Sequence, residues 1–194
     1  KMLSYEESLK ILRETNALID GHFILSSGLH SPQYVQCAQL LSEPEKSKKI
    51  CESLAEKLTN EFKTFDLILS PAIGGIIIGY EIGRLLNKKT IFAERVENKF
   101  DLRRNFFINK GDKVLIIEDV ITTGKSSKEC DNLVKNFGGE TVGYGCIIDR
   151  SNKQSLLKEK IVSQISINIP TFQKDNLPSS LSKIKAIKPG SRKI

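Results

Sequence analysis

Apolar and polar positions follow one period in the first sixty residues and another after them. Ser4 followed by Glu7 makes a capping box, and Leu9, Leu12 and the Ala17-Leu18 pair recur behind it at helical spacing, which predicts a first helix over about 5–18. Gly21 and Gly28 bracket Phe23-Ile24-Leu25, and Ser31-Pro32 precedes Tyr34-Val35, so two short strands joined by a turn come next. Pro44 in a first turn, then Ile50, Leu54 and Leu58 on one stripe, predict a helix ending near Phe62. From there short β-rich runs at 67–69, 90–92, 114–117 and 142–148 alternate with helical stretches at 75–86 and 125–137, the second stopping at Gly138-Gly139. Phe106-Phe107-Ile108 before Asn109-Lys110-Gly111-Asp112 reads as an antiparallel strand entering a turn. Strand and helix in alternation build an α/β fold with a central, mostly parallel sheet flanked by helices; the first forty residues form a small N-terminal hood.

Composition narrows this picture. A chain of 194 residues, 39% hydrophobic, holds one well-buried core, so 1–194 is expected to be a single domain: a hood of about 1–40 with part of the C-terminal tail, and a core of about 41–170. No apolar run approaches the roughly 20 residues of a membrane helix, and Glu6 and Glu7 stand where a signal peptide would be apolar. The expectation is a soluble, cytoplasmic protein that binds no membrane. Cys37, Cys51, Cys130 and Cys146 are far apart and lack a C-x-x-C pair, so they read as small core residues. His22 and His30, the only histidines, lie beside no candidate nucleophile or carboxylate in sequence and read as structural. The formal charge of +7 suits an anionic partner without choosing one, and Lys183, Lys185, Lys188, Arg192 and Lys193 place much of it in a solvated tail. With no recognition helix and no interleaved aromatic patch, nucleic acid is not expected.

In an open α/β sheet, ligands gather outside the carboxyl ends of the strands. Here those ends read Ser70-Pro71-Ala72-Ile73-Gly74-Gly75, then Glu94-Arg95, then Glu118-Asp119-Val120-Ile121-Thr122-Thr123-Gly124-Lys125-Ser126, then Asp149-Arg150. Hydroxyls and a glycine at a helix N-terminus leave backbone N–H groups free to surround a phosphate, which makes 122–126 a monophosphate cradle. Glu118 and Asp119 cannot both face that phosphate unshielded, so a diol, a divalent cation or its waters belongs between them. Gly124-Lys125-Ser126 also matches the end of a Walker A loop, but the first glycine of that loop would have to be residue 119, and Asp119 would repel the phosphates.

The run from Val114 to Ser126 resembles the phosphoribosyl diphosphate signature of the type I phosphoribosyltransferases. By that likeness Glu118 and Asp119 hold ribose hydroxyls near Mg2+, which they bind indirectly. Val120 and Ile121 belong to the same phosphoribosyl diphosphate site, the backbone of Thr122, Thr123, Gly124, Lys125 and Ser126 binds the 5-phosphate, and Ile73, Gly74 and Gly75 bind diphosphate through the backbone. The signature is silent on the acceptor base. Along nearly the whole chain the likeness is to the orotate-using members: Gly21-His22-Phe23-Ile24-Leu25-Ser26-Ser27-Gly28 with Ser31-Pro32 resembles their hood, and Lys188-Pro189-Gly190-Ser191-Arg192 a bacterial-type ending. It implies that Arg150 meets the orotate carboxylate, with Thr122, Ser26 and Tyr34 also at the base. It implies further that 95–104 is a mobile loop in which Arg95, Lys99, Arg103 and Arg104, with Asp119, carry catalysis, and that the loop serves the other subunit of a homodimer. Three departures stand out: Val96 where many members have lysine, no loop histidine, and Gly74 where some orotate enzymes carry lysine. Two rivals remain, a purine-base salvage transferase, which would need neither Arg150 nor the hood, and a non-catalytic regulator sensing phosphoribosyl diphosphate.

Overall fold

A computed structural model describes residues 1–189. Helix α1 (Tyr5–Glu14) starts on the capping box: Ser4 Oγ accepts from the Glu7 N–H at 3.1 Å, and the Glu7 carboxylate accepts from the Ser4 N–H at 2.7 Å. It ends before the predicted residue 18. Asn16 takes a φ of +56°, and Ala17 and Leu18 reach the core by entering strand β1 (Leu18–Ile24) instead. β1 pairs antiparallel with β2 (His30–Val35) in a separate two-stranded sheet, the hood. The C-terminal segment closes on it: the Ile24 N–H donates to the Ile187 carbonyl at 2.8 Å, and residues 30 and 172 exchange two backbone bonds. The two histidines are buried here. His22 Nδ1 lies 2.8 Å from the Ile184 carbonyl, which can only accept, so His22 Nδ1 donates there, and His22 Nε2 and His30 Nδ1 share a hydrogen bond at 2.6 Å. That pair fastens hairpin to tail.

Helix α2 (Cys37–Leu41) is too short to show a period and was not predicted; α3 (Pro44–Glu61) starts and ends as expected. The main sheet follows: β3 (Leu67–Pro71), α4 (Gly74–Leu86), β4 (Lys89–Val96), β5 (Lys99–Leu102), β6 (Lys113–Ile121), α5 (Lys125–Asn136), β7 (Glu140–Asp149), β8 (Ile161–Ser166) and a last turn of helix, α6 (Ser179–Ser182). Strand order is β5-β4-β3-β6-β7-β8, parallel throughout except for the edge strand β5. α1, α3 and α4 cover one face around Leu12, Leu54, Leu58, Ile78 and Ile82, while α5 covers the other with Cys130, Leu133 and Val134. All four cysteines are buried and free. No helix among the described residues is long and apolar enough to cross a membrane.

Two expectations change. The antiparallel strand forms at Lys99–Leu102, not at 106–108: β4 and β5 join through Glu97 and Asn98, both at positive φ, the backbone of a tight two-residue hairpin. Phe106 instead packs edge-on against Phe92, ring centroids 5.2 Å apart, and Ile108 is buried beside it. The stretch expected to be a loop over 95–104 is therefore largely a β-hairpin. Helix α4 lies close on the sheet because Gly79 and Gly83 face Ser70 and Thr90; a Cβ at 83 would run into the Thr90 side chain and stand 3.0 Å from the Lys88 carbonyl. Gly83→Val is expected to destabilise the fold by about 3 kcal/mol through this overpacking, seen as a lowered denaturant midpoint. An unchanged midpoint would contradict the close approach.

Candidate active site

β6 is one of the two central strands, beside β3, and residues 114–117 are fully buried before the chain reaches the carboxyl edge of the sheet. Glu118, only 8% exposed, accepts from the Asp119 N–H at 3.1 Å, and Asp119 Oδ1 accepts from the Val120 N–H at 2.8 Å. Burial, then the charge of Asp119, pushes the Glu118 carboxyl up to about 9 from 4.5, so without ligand it is protonated at neutral pH. Because this folded value lies above the unfolded one, the stability Glu118 supplies is full below about 4.5 and lost as pH rises toward 9. Glu118→Gln should remove that loss, so with chelator present the variant should gain on wild type between about pH 5 and pH 9 in denaturant midpoint. Parallel pH profiles would show that Glu118 does not titrate in this window.

The loop after β3 comes up against the acid pair. The Ala72 N–H donates to the Ala93 carbonyl at 2.8 Å, the Ala72–Ile73 peptide is cis, and a Cβ on Gly74 would stand 2.9 Å from Asp119 Oδ2. Glycine at 74 is thus what lets Asp119 take its place, and the departure from lysine at that position has a steric counterpart in this chain. On the other side, Thr122 and Thr123 are exposed and Gly124 turns the chain at φ +81°. The first return bond of α5 runs from the Lys128 N–H to the Gly124 carbonyl at 2.8 Å, so the N–H groups before it are those a helix start leaves without helical acceptors. Glu118, residues 120–126 and Ser127, which the sequence motif did not include, line one cavity of about 170 Å3.

Arg150 follows the last residue of β7, and the parallel register Ile121↔Asp149 brings it beside the phosphate turn, where its N–H donates to the Ile121 carbonyl at 2.8 Å. Its side chain is half-buried, burial pulls the guanidinium below its usual value, and the buried Nε has no partner among the described residues. At the hood, Tyr34 is half-buried against Phe23, and Cys37 Sγ lies 4.0 Å from the Asp119 carbonyl, which carries the end of β2 to the acid pair. Ser26 is exposed in the β1–β2 turn and makes no hydrogen bond to the strand ends. The ending at 188–192 lies mostly outside the described residues.

The four loop cations do not converge on this site within one chain. Arg95 is held on the α5 side: it pairs with Glu129 at 2.9 and 3.4 Å, donates to the Asn98 carbonyl at 2.9 Å, and stacks on Phe100 at 4.1 Å. Lys99 shares with Arg95 and Lys125 a cleft of about 360 Å3 against Asn132 and Asn136 of α5. Arg104 turns back to Glu94 in a two-pronged pair at 2.8 and 2.9 Å, and Arg103 is exposed. What sequence reading missed is the connection after Arg150, where the Leu156 N–H donates to the Thr123 carbonyl at 2.9 Å and Leu157 packs on Gly124. That stretch is polar and shows no period, and one of these ties is purely backbone.

An acid pair leading into a hydroxyl-glycine phosphate turn at the end of a central strand defines the class: residues 38–181 match the family model described as phosphoribosyl transferase domain. The chain is 45% identical over 190 residues to the orotate phosphoribosyltransferase of Methylorubrum extorquens, covering 97% of each chain. It is 46% identical over 188 residues to that of Erythrobacter litoralis, covering 96% of this chain and 97% of the relative. Among solved structures, the orotate phosphoribosyltransferase from Aeropyrum pernix matches with a TM-score of 0.72 over 81% of this chain and 92% of that one; at 21% identity this likeness is one of fold. The chain belongs to the orotate phosphoribosyltransferase family.

Proposed function

We propose that this chain, acting as one domain in the cytoplasm, transfers ribose 5-phosphate from phosphoribosyl diphosphate to orotate, giving orotidine 5'-phosphate and diphosphate on the route to UMP. One observation carries the choice of base: a half-buried guanidinium beside the phosphate turn has an Nε without a partner among the described residues. A buried polar group of this kind calls for an acceptor, and a planar carboxylate in plane with a pyrimidine suits the arginine fork. Adenine and hypoxanthine offer no such carboxylate. Offered orotate, hypoxanthine and adenine in turn with phosphoribosyl diphosphate and Mg2+, the protein should consume orotate alone. Consumption of a purine would move it to the salvage enzymes, and consumption of none, with phosphoribosyl diphosphate still bound, to a regulator.

The 5-phosphate sits on the backbone of 122–126, the ribose hydroxyls face Glu118 and Asp119, and diphosphate lies along 73–75. Among the described residues no cluster of three or more His, Cys, Asp or Glu could cage a metal, which suits a cation held mainly by substrate oxygens with the acid pair as the protein's share, as Mg2+ commonly is. When bound, Mg2+ neutralises charge on the departing diphosphate. The residues themselves hold two anions in line, so that a ring nitrogen of orotate displaces diphosphate with inversion through an oxocarbenium-like state and no covalent enzyme intermediate.

The supporting cations come from a second copy. Arg95 and Lys99 line a cleft against α5 and not the cavity of their own phosphate turn, and Ile73, Ile77 and Tyr80, at 85%, 57% and 65% exposure, leave an apolar stripe uncovered along α4 beside the diphosphate loop. A homodimer built on α4 would cover that stripe and bring one hairpin to the partner's site. Tyr80→Glu should therefore split the protein into single chains in analytical ultracentrifugation and lower activity at least tenfold at dilute concentration, an order set by losing cations that meet developing charge. A dimeric, fully active variant would place the interface elsewhere.

A further inference from the structure

The phosphate turn has little stiffness of its own. Gly124, at φ +81°, is the least restrained kind of residue, and the side-chain bond at the start of α5, from the Lys125 N–H to Thr123 Oγ1, is long at 3.3 Å. Thr122 and Thr123 are exposed. A cradle that must fix a phosphate to fractions of an ångström therefore takes its rigidity from elsewhere.

Covering from outside the motif comes from the connection between β7 and β8. It leaves the sheet at Arg150, whose N–H donates to the Ile121 carbonyl at 2.8 Å. It then reverses tightly: the Ser151 N–H donates to Asp149 Oδ1 at 2.8 Å, the Gln154 N–H to the Ser151 carbonyl at 2.8 Å, and Asn152 and Lys153 both take positive φ. It returns at Leu156, whose N–H donates to the Thr123 carbonyl at 2.9 Å. Next in sequence, Leu157 lies against Gly124, its Cγ only 2.9 Å from where a Cβ on that glycine would stand. The segment thus grips the turn at residues 121, 123 and 124, with Arg150 at its root. Leu157 does not line the phosphate cavity; it lines a separate cleft of about 390 Å3 with Asp149, Ser151 and Glu159.

We propose that Leu157 is a positioning residue: it presses Gly124 into the left-handed turn that aims the backbone N–H groups at the 5-phosphate, and the strap at 150–157 holds that turn in register with Arg150. This deepens the reading of 122–126 as the phosphoribosyl site and rests on it. Because Leu157 does not line the phosphate cavity but lies against Gly124, an effect of changing it on phosphate binding passes through the turn.

The test uses the full chain with ribose 5-phosphate binding by calorimetry, the KM for phosphoribosyl diphosphate, and the thermal midpoint. Leu157→Ala should weaken ribose 5-phosphate binding and raise that KM by roughly tenfold, the scale of a sub-ångström misplacement, with a smaller change in kcat. Leu157→Met, which refills the space, should restore both. Leu157 also packs against the buried cluster that includes Cys130, Leu133 and Tyr144, so the alanine change will lower the midpoint as well. Should it fail to fold, Leu157→Val is the milder probe, with an expected change of about threefold on the same scale. Binding and KM within error of wild type in a folded variant, with only the midpoint lowered, would overturn the proposal. Wild type that binds no ribose 5-phosphate would instead sink the reading of the turn itself.

Discussion

Arg150→Leu is expected to lower kcat/KM for orotate more than a hundredfold, about 3 kcal/mol, while the KM for phosphoribosyl diphosphate stays near wild type. The magnitude follows from position. A carboxylate entering a half-buried place beside Ile121 and the phosphate turn loses most of its water, and removing the cation leaves that loss uncompensated. Arg150→Lys should recover only part of the loss, because a single ammonium cannot reproduce two parallel bonds. Stability moves the other way. The Arg150 Nε is buried without a partner among the described residues, so leucine removes an unsatisfied group, and the empty variant should unfold at or above the wild-type midpoint. Steady-state kinetics with a denaturant titration checks both halves. An orotate kcat/KM within tenfold of wild type would show that the carboxylate is met elsewhere.

Asp119→Asn is expected to cost roughly 100- to 1000-fold in kcat/KM for phosphoribosyl diphosphate, the range seen when one group facing transition-state charge is removed. The amide is nearly the same size, fits the room Gly74 leaves, and can still accept from the Val120 N–H. The fold should persist. What disappears is a negative charge facing the diol and its cation, so activity should also require far more Mg2+ to saturate. Rate measurements across a Mg2+ series separate this from misfolding, which would lower the active fraction without moving the Mg2+ midpoint. A variant with wild-type turnover would remove Asp119 from the chemistry.

Much of this molecule could be read from its residues, and the parts that could not have physical reasons. The runs at 67–69, 90–92, 114–117 and 142–148 announce strands because parallel strands covered on both faces need unbroken apolar stretches. The outer strands lack that signature: β5 hides Phe100 and Leu102 among charges, and β8 interleaves Ser163 and Gln164 with its isoleucines. Ala17 and Leu18 extend the period of α1 because both are buried, but they are buried as the start of a strand. The phosphate turn and its acid pair are legible because nine consecutive residues build them. Arg150 is legible only through its place at a strand end. The bond from Leu156 to Thr123 spans 33 positions and involves no side chain, and the Arg95–Glu129 pair is separated by 34, so neither leaves a local pattern.

The central claim is the reaction itself. Purified protein mixed with orotate, phosphoribosyl diphosphate and Mg2+, beside a sample with chelator in place of the metal, should lose orotate absorbance only when the metal is present and release one diphosphate per orotate consumed. Unchanged absorbance with intact, folded protein, or diphosphate released without loss of orotate, would contradict it.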